Sequence, residues 1–204
     1  MTRQVVCISH ATGSGGEDVG RAVAQRLGFE YVDHEVISEA ADWAELDPAL
    51  VADVERRKPF VARLLGGRGG GGGERMPSGE RSRVVPGDPE LRALIQAVLR
   101  RFADRGSVVI VAHAASFALA GGDVLRGLVT ASPSTRAARV AQADGAAEGD
   151  AERRIRTEDE GRADYLKRFY GIEHELPTHY DVVVNTDVLT VDEAARLVEV
   201  AATA

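Results

Sequence analysis

The sequence predicts a three-layer α/β domain, a five-stranded parallel sheet with helices on both faces, and three observations predict it. Short apolar, β-branched runs such as Val5-Val6-Cys7-Ile8, Val108-Val109-Ile110-Val111 and Val182-Val183-Val184 suit strands buried on both faces. Stretches with apolar residues at helical spacing separate those runs, an alternation that builds parallel sheets. The first run leads through a glycine-rich turn, Gly13-Ser14-Gly15-Gly16, straight into a helix. Strand, glycine turn and helix form the layout in which helix-terminal amides face an anion and glycines let phosphate approach the backbone.

In chain order, Val19, Val23 and Leu27 carry the first helix, Gly28 closes it, and Phe29 to Asp33 reads as a short strand ending in an exposed acid. His34 to Trp43 looks helical, and Asp47-Pro48 opens another helix as N-cap and first residue. From Arg57 to Asp88 the chain turns to Gly, Pro, Ser and charge, with an unbroken glycine run from Gly69 to Gly73. Such a segment buries little apolar surface, so a mobile loop is expected, most of all over 66–87. It is either a dispensable insert or a lid over a substrate. Asp88-Pro89 starts a long helix to about Arg105, with Leu91, Leu94, Ile95, Val98, Leu99 and Phe102 as its stripe. A central strand follows at Val108 to Val111, and a further strand at Leu128 to Ala131. Ser132 then caps a helix begun by Pro133. Asp150 to Tyr170 is a long, arginine-studded helix, Asp181 to Asn185 a buried strand, and Thr190 with Glu193 a capping box for the last helix.

Composition narrows the function classes. At 204 residues, 44% hydrophobic and 28% charged, the chain fits one domain without repeats over 1–204. A net charge of -7 argues against bulk nucleic-acid binding. The single cysteine, Cys7, lies inside the first strand, which excludes an intrachain disulfide and marks a buried thiol. No apolar run approaches ~18 residues, and the first strand begins too near Met1 for a signal peptide, so neither membrane nor export is expected and the cytoplasm is.

The glycine turn departs from the phosphate-loop pattern G-x-x-x-x-G-K-[ST]: Gly16 and Glu17 stand where lysine and a hydroxyl belong. Glu17 and Asp18 favour the helix dipole but repel a triphosphate. They either cap a helix whose anion site is abandoned, or one of them holds Mg²⁺ in the hydroxyl's stead. Arg21 either restores charge or pairs with Glu17 at i,i+4. Asp33 ends its strand at the carboxyl edge where ligands bind, and it also suits the N-cap of the next helix. The set Arg153, Arg154, Arg156 and Arg162 either meets a phosphate or pairs with Glu152, Glu158 and Glu160 on a solvated face. Arg153 and Arg156 share one helix face. Tyr165, Phe169 and Tyr170 read as packing. His113, just after the central strand, reads as structural or as a ligand contact, and no acid ends Val108 to Val111 to hold a metal.

Ile8-Ser9 with Gly13-Ser14-Gly15-Gly16, then Leu27-Gly28-Phe29-x-Tyr31-x-Asp33, lead into a matching C-terminal third. That third reads Arg162-Ala163-Asp164-Tyr165-x-x-Arg168-Phe169-Tyr170-Gly171, Tyr180-Asp181 and Asn185-Thr186. Together they resemble the cytidylate-kinase-like proteins of the P-loop nucleoside monophosphate kinase group, over most of the chain. The resemblance implies a P-loop kinase fold, transfer of the ATP γ-phosphoryl group to CMP or a related acceptor, and Mg²⁺. It implies that Gly13, Ser14, Gly15, Gly16, Glu17 and Asp18 meet the nucleotide and that Asp33 lies near the acceptor. Residues 34–88 would form an acceptor-side insert and 145–172 an arginine lid, bringing Arg153, Arg156 and Arg162, with Asp159 at the lid's acid-to-arginine spacing, onto the transferring phosphate. In this branch Gly-Gly often replaces Gly-Lys. Two departures are the chain's own: Glu17-Asp18 where the branch tends to be basic, and Ala112-His113-Ala114-Ala115 where it tends to have a Gly-Arg-Gly-Ala-like turn. Both subtract charge or glycine from the phosphate side, so a catalytically impaired kinase fold that binds a nucleotide or a partner stays open beside the enzyme.

Overall fold

The computed structural model describes residues 3–33, 88–112, 114–119, 121 and 123–204. The expectations for the helices and glycine-rich segment within 34–87, for His113, and for the side chains of Leu91 and Leu94 lie outside the described residues.

Strand β1 (Val5–His10) runs into helix α1 (Gly16–Leu27), which Gly28 ends, and β2 (Glu30–Val32) comes next. Helix α2 (Asp88–Arg105) precedes β3 (Val108–Val111), the single turn α3 (Ala115–Ala118) and β4 (Val124–Thr130). Helices α4 (Pro133–Asp144) and α5 (Glu148–Tyr170), a 3-10 turn at Pro177–His179, β5 (Val182–Asn185) and α6 (Val191–Thr203) complete the chain. The five strands form one parallel sheet in the order β2-β3-β1-β4-β5, so the first strand is the central one.

The alternation of side chains along β1 and β3 splits the core into two layers. Cys7, Val108 and Ile110 pack with Ile95, Val98, Leu99 and Phe102 of α2 on one face. Val6, Ile8, Val109 and Val111 pack with Val19 and Val23 of α1 and Ala194, Ala195 and Val198 of α6 on the other. Each fully buried aliphatic side chain contributes about 1.5–3 kcal/mol. Burial pushes the Cys7 thiol up to about 12, the inert thiol expected of a core position. The expected caps form: Ser132 Oγ accepts from the Thr135 amide, and Thr190 and Glu193 cap each other reciprocally.

One boundary and one burial differ from the sequence expectation. Strand β4 begins at Val124 rather than near Leu128. Arg126 and Gly127 disguise its first half, but the Arg126 guanidinium and amide are satisfied by Asp181 at 2.7–3.1 Å, which lets a charged residue sit in the strand. Strand β5 is not buried throughout. Among the described residues it is the last strand of the sheet and pairs with β4 alone, and Val183 is 40% exposed while Val184 is buried.

Candidate functional site

At the carboxyl edge of the sheet the chain leaves β1 at His10, turns through Ala11 to Gly15 and enters α1 at Gly16. Gly13 has φ 78°, and a Cβ there would lie 2.7 Å from the Arg136 carbonyl oxygen, so only glycine fits. Gly15 is the N-cap of α1 and brings no side-chain acceptor to it. The first-turn amides of a helix have no partner within it, and here that turn opens into a cleft of about 770 Å³ lined by Gly13, Gly15, Gly16, Glu17 and Asp18.

The loop's carbonyls, by contrast, are held by side chains from other elements. His10 O accepts from Arg162 at 2.8 Å, Thr12 O from Arg136 Nε at 2.6 Å, Gly13 O from Arg139 at 3.5 Å and Ser14 O from Thr186 Oγ1 at 2.7 Å. Ser14 Oγ itself donates to Val129 O at 3.1 Å, deep in the fold. Pinning the acceptors fixes the peptide planes and with them the direction of the N–H groups.

Helix α5 closes the cleft above the loop. Its Glu158 accepts from Thr12 Oγ1 at 2.6 Å. Its Asp159 takes both terminal nitrogens of the buried Arg136, at 2.7 and 2.9 Å. Its buried Arg162 donates to Glu175 from Nε at 2.9 Å and again from a terminal nitrogen, and Tyr180 Oη donates to the same carboxylate. Burial alone would raise the Glu175 carboxyl, but the hydrogen bonds and charge of Arg162, with Tyr180, outweigh it and hold the carboxyl below its usual range. Burial, followed by the Arg162 charge, lowers His10, against weaker opposition from its contact with the Ala11 carbonyl oxygen at 3.4 Å and from the charges of Glu17 and Asp33.

Of the residues singled out in the sequence, the cleft brings together Gly13, Gly15, Gly16, Glu17, Asp18, Asp33, Arg154, Asp159 and Arg162. Asp33 accepts from Tyr31 Oη at 2.8 Å and from Arg21 at 3.4 Å. Arg21 also makes the expected pair with Glu17, at 3.8 Å, and lies over the Tyr31 ring. Four singled-out residues do not line the cleft: Ser14, whose hydroxyl turns inward; Arg21, paired with Glu17 and Asp33; Arg153, 72% exposed and paired with Asp150; and Arg156, exposed on α5. The acid-to-arginine spacing of Asp159 and Arg162 does not make them partners. Asp159 goes to Arg136 and Arg162 to Glu175. Tyr165 and Phe169 pack in the core, as their apolar character predicts.

The sequence pattern did not single out His10, Thr12, Arg139 and Asp144, which also line the cleft, as does Glu158, named only as a partner for the arginines and paired with Arg154 at 2.9 Å. Arg136 and Arg139 stand three apart on one face of α4, a signal that was available. Among the described residues six carboxylates and three guanidiniums line this space. At position 16 a Cβ would stand 2.1 Å from His10 Cβ and 2.4 Å from His10 Cγ. Among the described residues no group of three or more His, Cys, Asp or Glu is placed to hold a metal ion by itself, and no helix is long and apolar enough to cross a membrane.

A sequence profile described as the cytidylate kinase-like family matches residues 5–188. The chain is 28% identical over 114 residues to a cytidylate kinase of Methanoculleus marisnigri; the match covers 56% of this chain and 63% of the relative, less than two thirds of its length. In three dimensions it is similar to an uncharacterized protein from Eubacterium ventriosum, with TM-score 0.66 and 16% identity over 95% of this chain and 94% of the other. It is also similar to a gluconokinase from Sinorhizobium meliloti, with TM-score 0.54 and 15% identity over 98% and 92%.

Proposed function

From the premise that this chain belongs to the cytidylate kinase-like family, we propose that it is a nucleoside monophosphate kinase, moving the γ-phosphoryl group of ATP to CMP or a related acceptor. One observation carries the reading: the glycine turn at the sheet's carboxyl edge presents an uncapped helix N-terminus to a cleft large enough for nucleotides, with Asp33 on its wall.

Phosphoryl transfer asks a protein for positioning and charge neutralisation more than covalent chemistry. The loop amides and the α1 dipole receive the donor phosphates, the dipole acting as roughly half a positive charge. That is too little against Glu17 and Asp18, so full positive charges come from elsewhere. We assign that task to Arg162 in the cleft wall and to Arg153 and Arg156 on the lid, 145–172, which lie outside the cleft here and would reach the phosphate only by a shift of the lid, while Asp159 ties the lid helix to Arg136. Arg139 and Arg154 line the same space. Asp33, steadied by Tyr31 and Arg21, is our acceptor-side residue. The carboxylates of Glu17 and Asp18 fit Mg²⁺, a hard cation that takes one or two carboxylates together with substrate phosphates, and which would screen the transferring group.

A specific observation favours a second reading. The guanidiniums of the cleft already have partners: Arg162 has Glu175, Arg154 has Glu158, and Arg139 has Thr186. A kinase fold in that state is suited to holding a nucleotide or a protein partner without turnover. Incubating the protein with ATP, Mg²⁺ and each nucleoside monophosphate, and following ADP, separates the two. ADP formed with one acceptor supports the kinase; nucleotide binding without ADP from any acceptor supports the binding module.

A further inference from the structure

In a loop of the G-x-x-x-x-G-K-[ST] pattern the lysine side chain starts from the position that Gly16 holds here. No side chain can start from it in this fold. Its Cβ would overlap His10 Cβ at 2.1 Å and Cγ at 2.4 Å, and would lie 3.1 Å from Cδ2. Those atoms are the root of the imidazole, not a flexible end that could swing aside. The space that a residue-16 side chain would leave through is therefore taken by the last residue of β1. His10 lines the cleft beside Gly13, Gly15 and Gly16. Its backbone is fixed on both sides, by the strand and by the Arg162 bond to its carbonyl.

We propose that His10 replaces the absent lysine as the loop's side-chain contact to the bound phosphate chain. The proposal rests on the kinase reading of this cleft and adds a residue to it. The ring's Nδ1 lies 3.4 Å from the Ala11 carbonyl oxygen, a long contact, and a neutral imidazole has a single N–H; contact with phosphate therefore requires the proton on the nitrogen that meets it, or a protonated ring in which both nitrogens donate. A bond from that donor to a phosphate oxygen is charge-assisted and stronger than a neutral one. Among the described residues the charged groups acting on the ring are Arg162 from α5, Glu17 from α1 and Asp33 at the end of β2. The arrangement also explains why glycine at 16 and histidine at 10 belong together: one clears the space that the other fills.

The test uses the whole chain and two probes, inorganic tripolyphosphate and Mg²⁺·ATP, measured by calorimetry at pH 7. His10→Leu fills the volume over Gly16 without a donor, His10→Ala empties it, and His10→Arg restores a donor. Leu and Ala are expected to weaken tripolyphosphate binding about tenfold or more, the scale of one hydrogen bond to a charged group, and Arg to recover most of it. In the wild type the His10 ring resonances should shift as tripolyphosphate saturates. Leu and Ala variants that fold and bind like the wild type overturn the proposal and leave the kinase reading intact. So does a wild-type ring that stays silent at saturation, a readout that holds if the variants misfold. A wild type that binds neither probe overturns the kinase reading together with this one.

Discussion

Replacing Arg136 with methionine tests how the glycine loop is held. The guanidinium is buried and makes three bonds, two to Asp159 and one to the Thr12 carbonyl. Methionine keeps a similar unbranched stem and loses all three. Removing one partner of a buried ion pair costs about 3–5 kcal/mol when the other stays buried. Here the Asp159 side chain is 42% exposed, so water takes over much of what Arg136 gave it. The Thr12 carbonyl loses its guanidinium, and an orphaned acceptor costs about 1–3 kcal/mol. Together these give about 2–4 kcal/mol. With a urea m-value of about 2 kcal/mol/M, the unfolding midpoint should fall by about 1–2 M. Arg136→Lys keeps the charge but not the planar fork and should recover less than half. Asp159→Asn, at the exposed end, should cost only about 1 kcal/mol. An Arg136→Met midpoint within about 0.3 M of the wild type would show that the guanidinium bears no weight in the loop, and the pinning of its carbonyls would lose its central member.

Gly13→Ala should lower the melting temperature by several degrees, since φ 78° and a carbonyl at 2.7 Å leave no room for a methyl group; calorimetry reads it directly. With the best acceptor, Arg162→Ala or Arg156→Ala should cut ADP formation at least ~100-fold while Arg21→Ala costs far less; both lid variants turning over at the wild-type rate would remove the lid assignment. Glu175 is lowered in the fold, so its stabilisation is complete above the unfolded carboxyl value of 4.5 and disappears as pH falls through the lower folded value. Denaturation curves should accordingly show Glu175→Gln less stable near pH 7, with the gap to the wild type narrowing below about pH 4.

What the sequence made legible is what local chemistry decides. The runs at Val5 and Val108 announce central strands because both of their faces are buried, and the caps at Ser132 and Thr190 depend on residues three positions away. The run at Val182 has the same composition, yet it lies at an edge; the order of strands in a sheet leaves no mark on any one strand. Arg126 and Gly127 hid the start of β4 because the partner that makes the charge tolerable, Asp181, is far along the chain. The same holds at the cleft. Gly13, Gly16 and Asp33 could be found from pattern, whereas the partners of Thr12, Arg136 and Arg162 come from across the fold. Asp159 and Arg162 have the spacing of a pair, but each meets a better-placed opposite charge elsewhere.

The sheet order has a consequence for how the chain is assembled as it is made. Strand β1 emerges from the ribosome early, but its neighbours are β3 and β4, and Val5 meets neither Val108 nor Val124 until those residues have emerged too. Strand β2 pairs only with β3 and must wait as well. At about 5–20 residues per second the apolar run Val5 to Ile8 therefore spends several seconds without a sheet to join. Closing such distant pairs comes late and slowly, because the entropy of the intervening chain is lost before any strand contact rewards it. The central strand of the finished sheet is thus the one exposed longest during synthesis, and substitutions that make it stickier should show up first as lost soluble yield, before any change in the folded protein's stability.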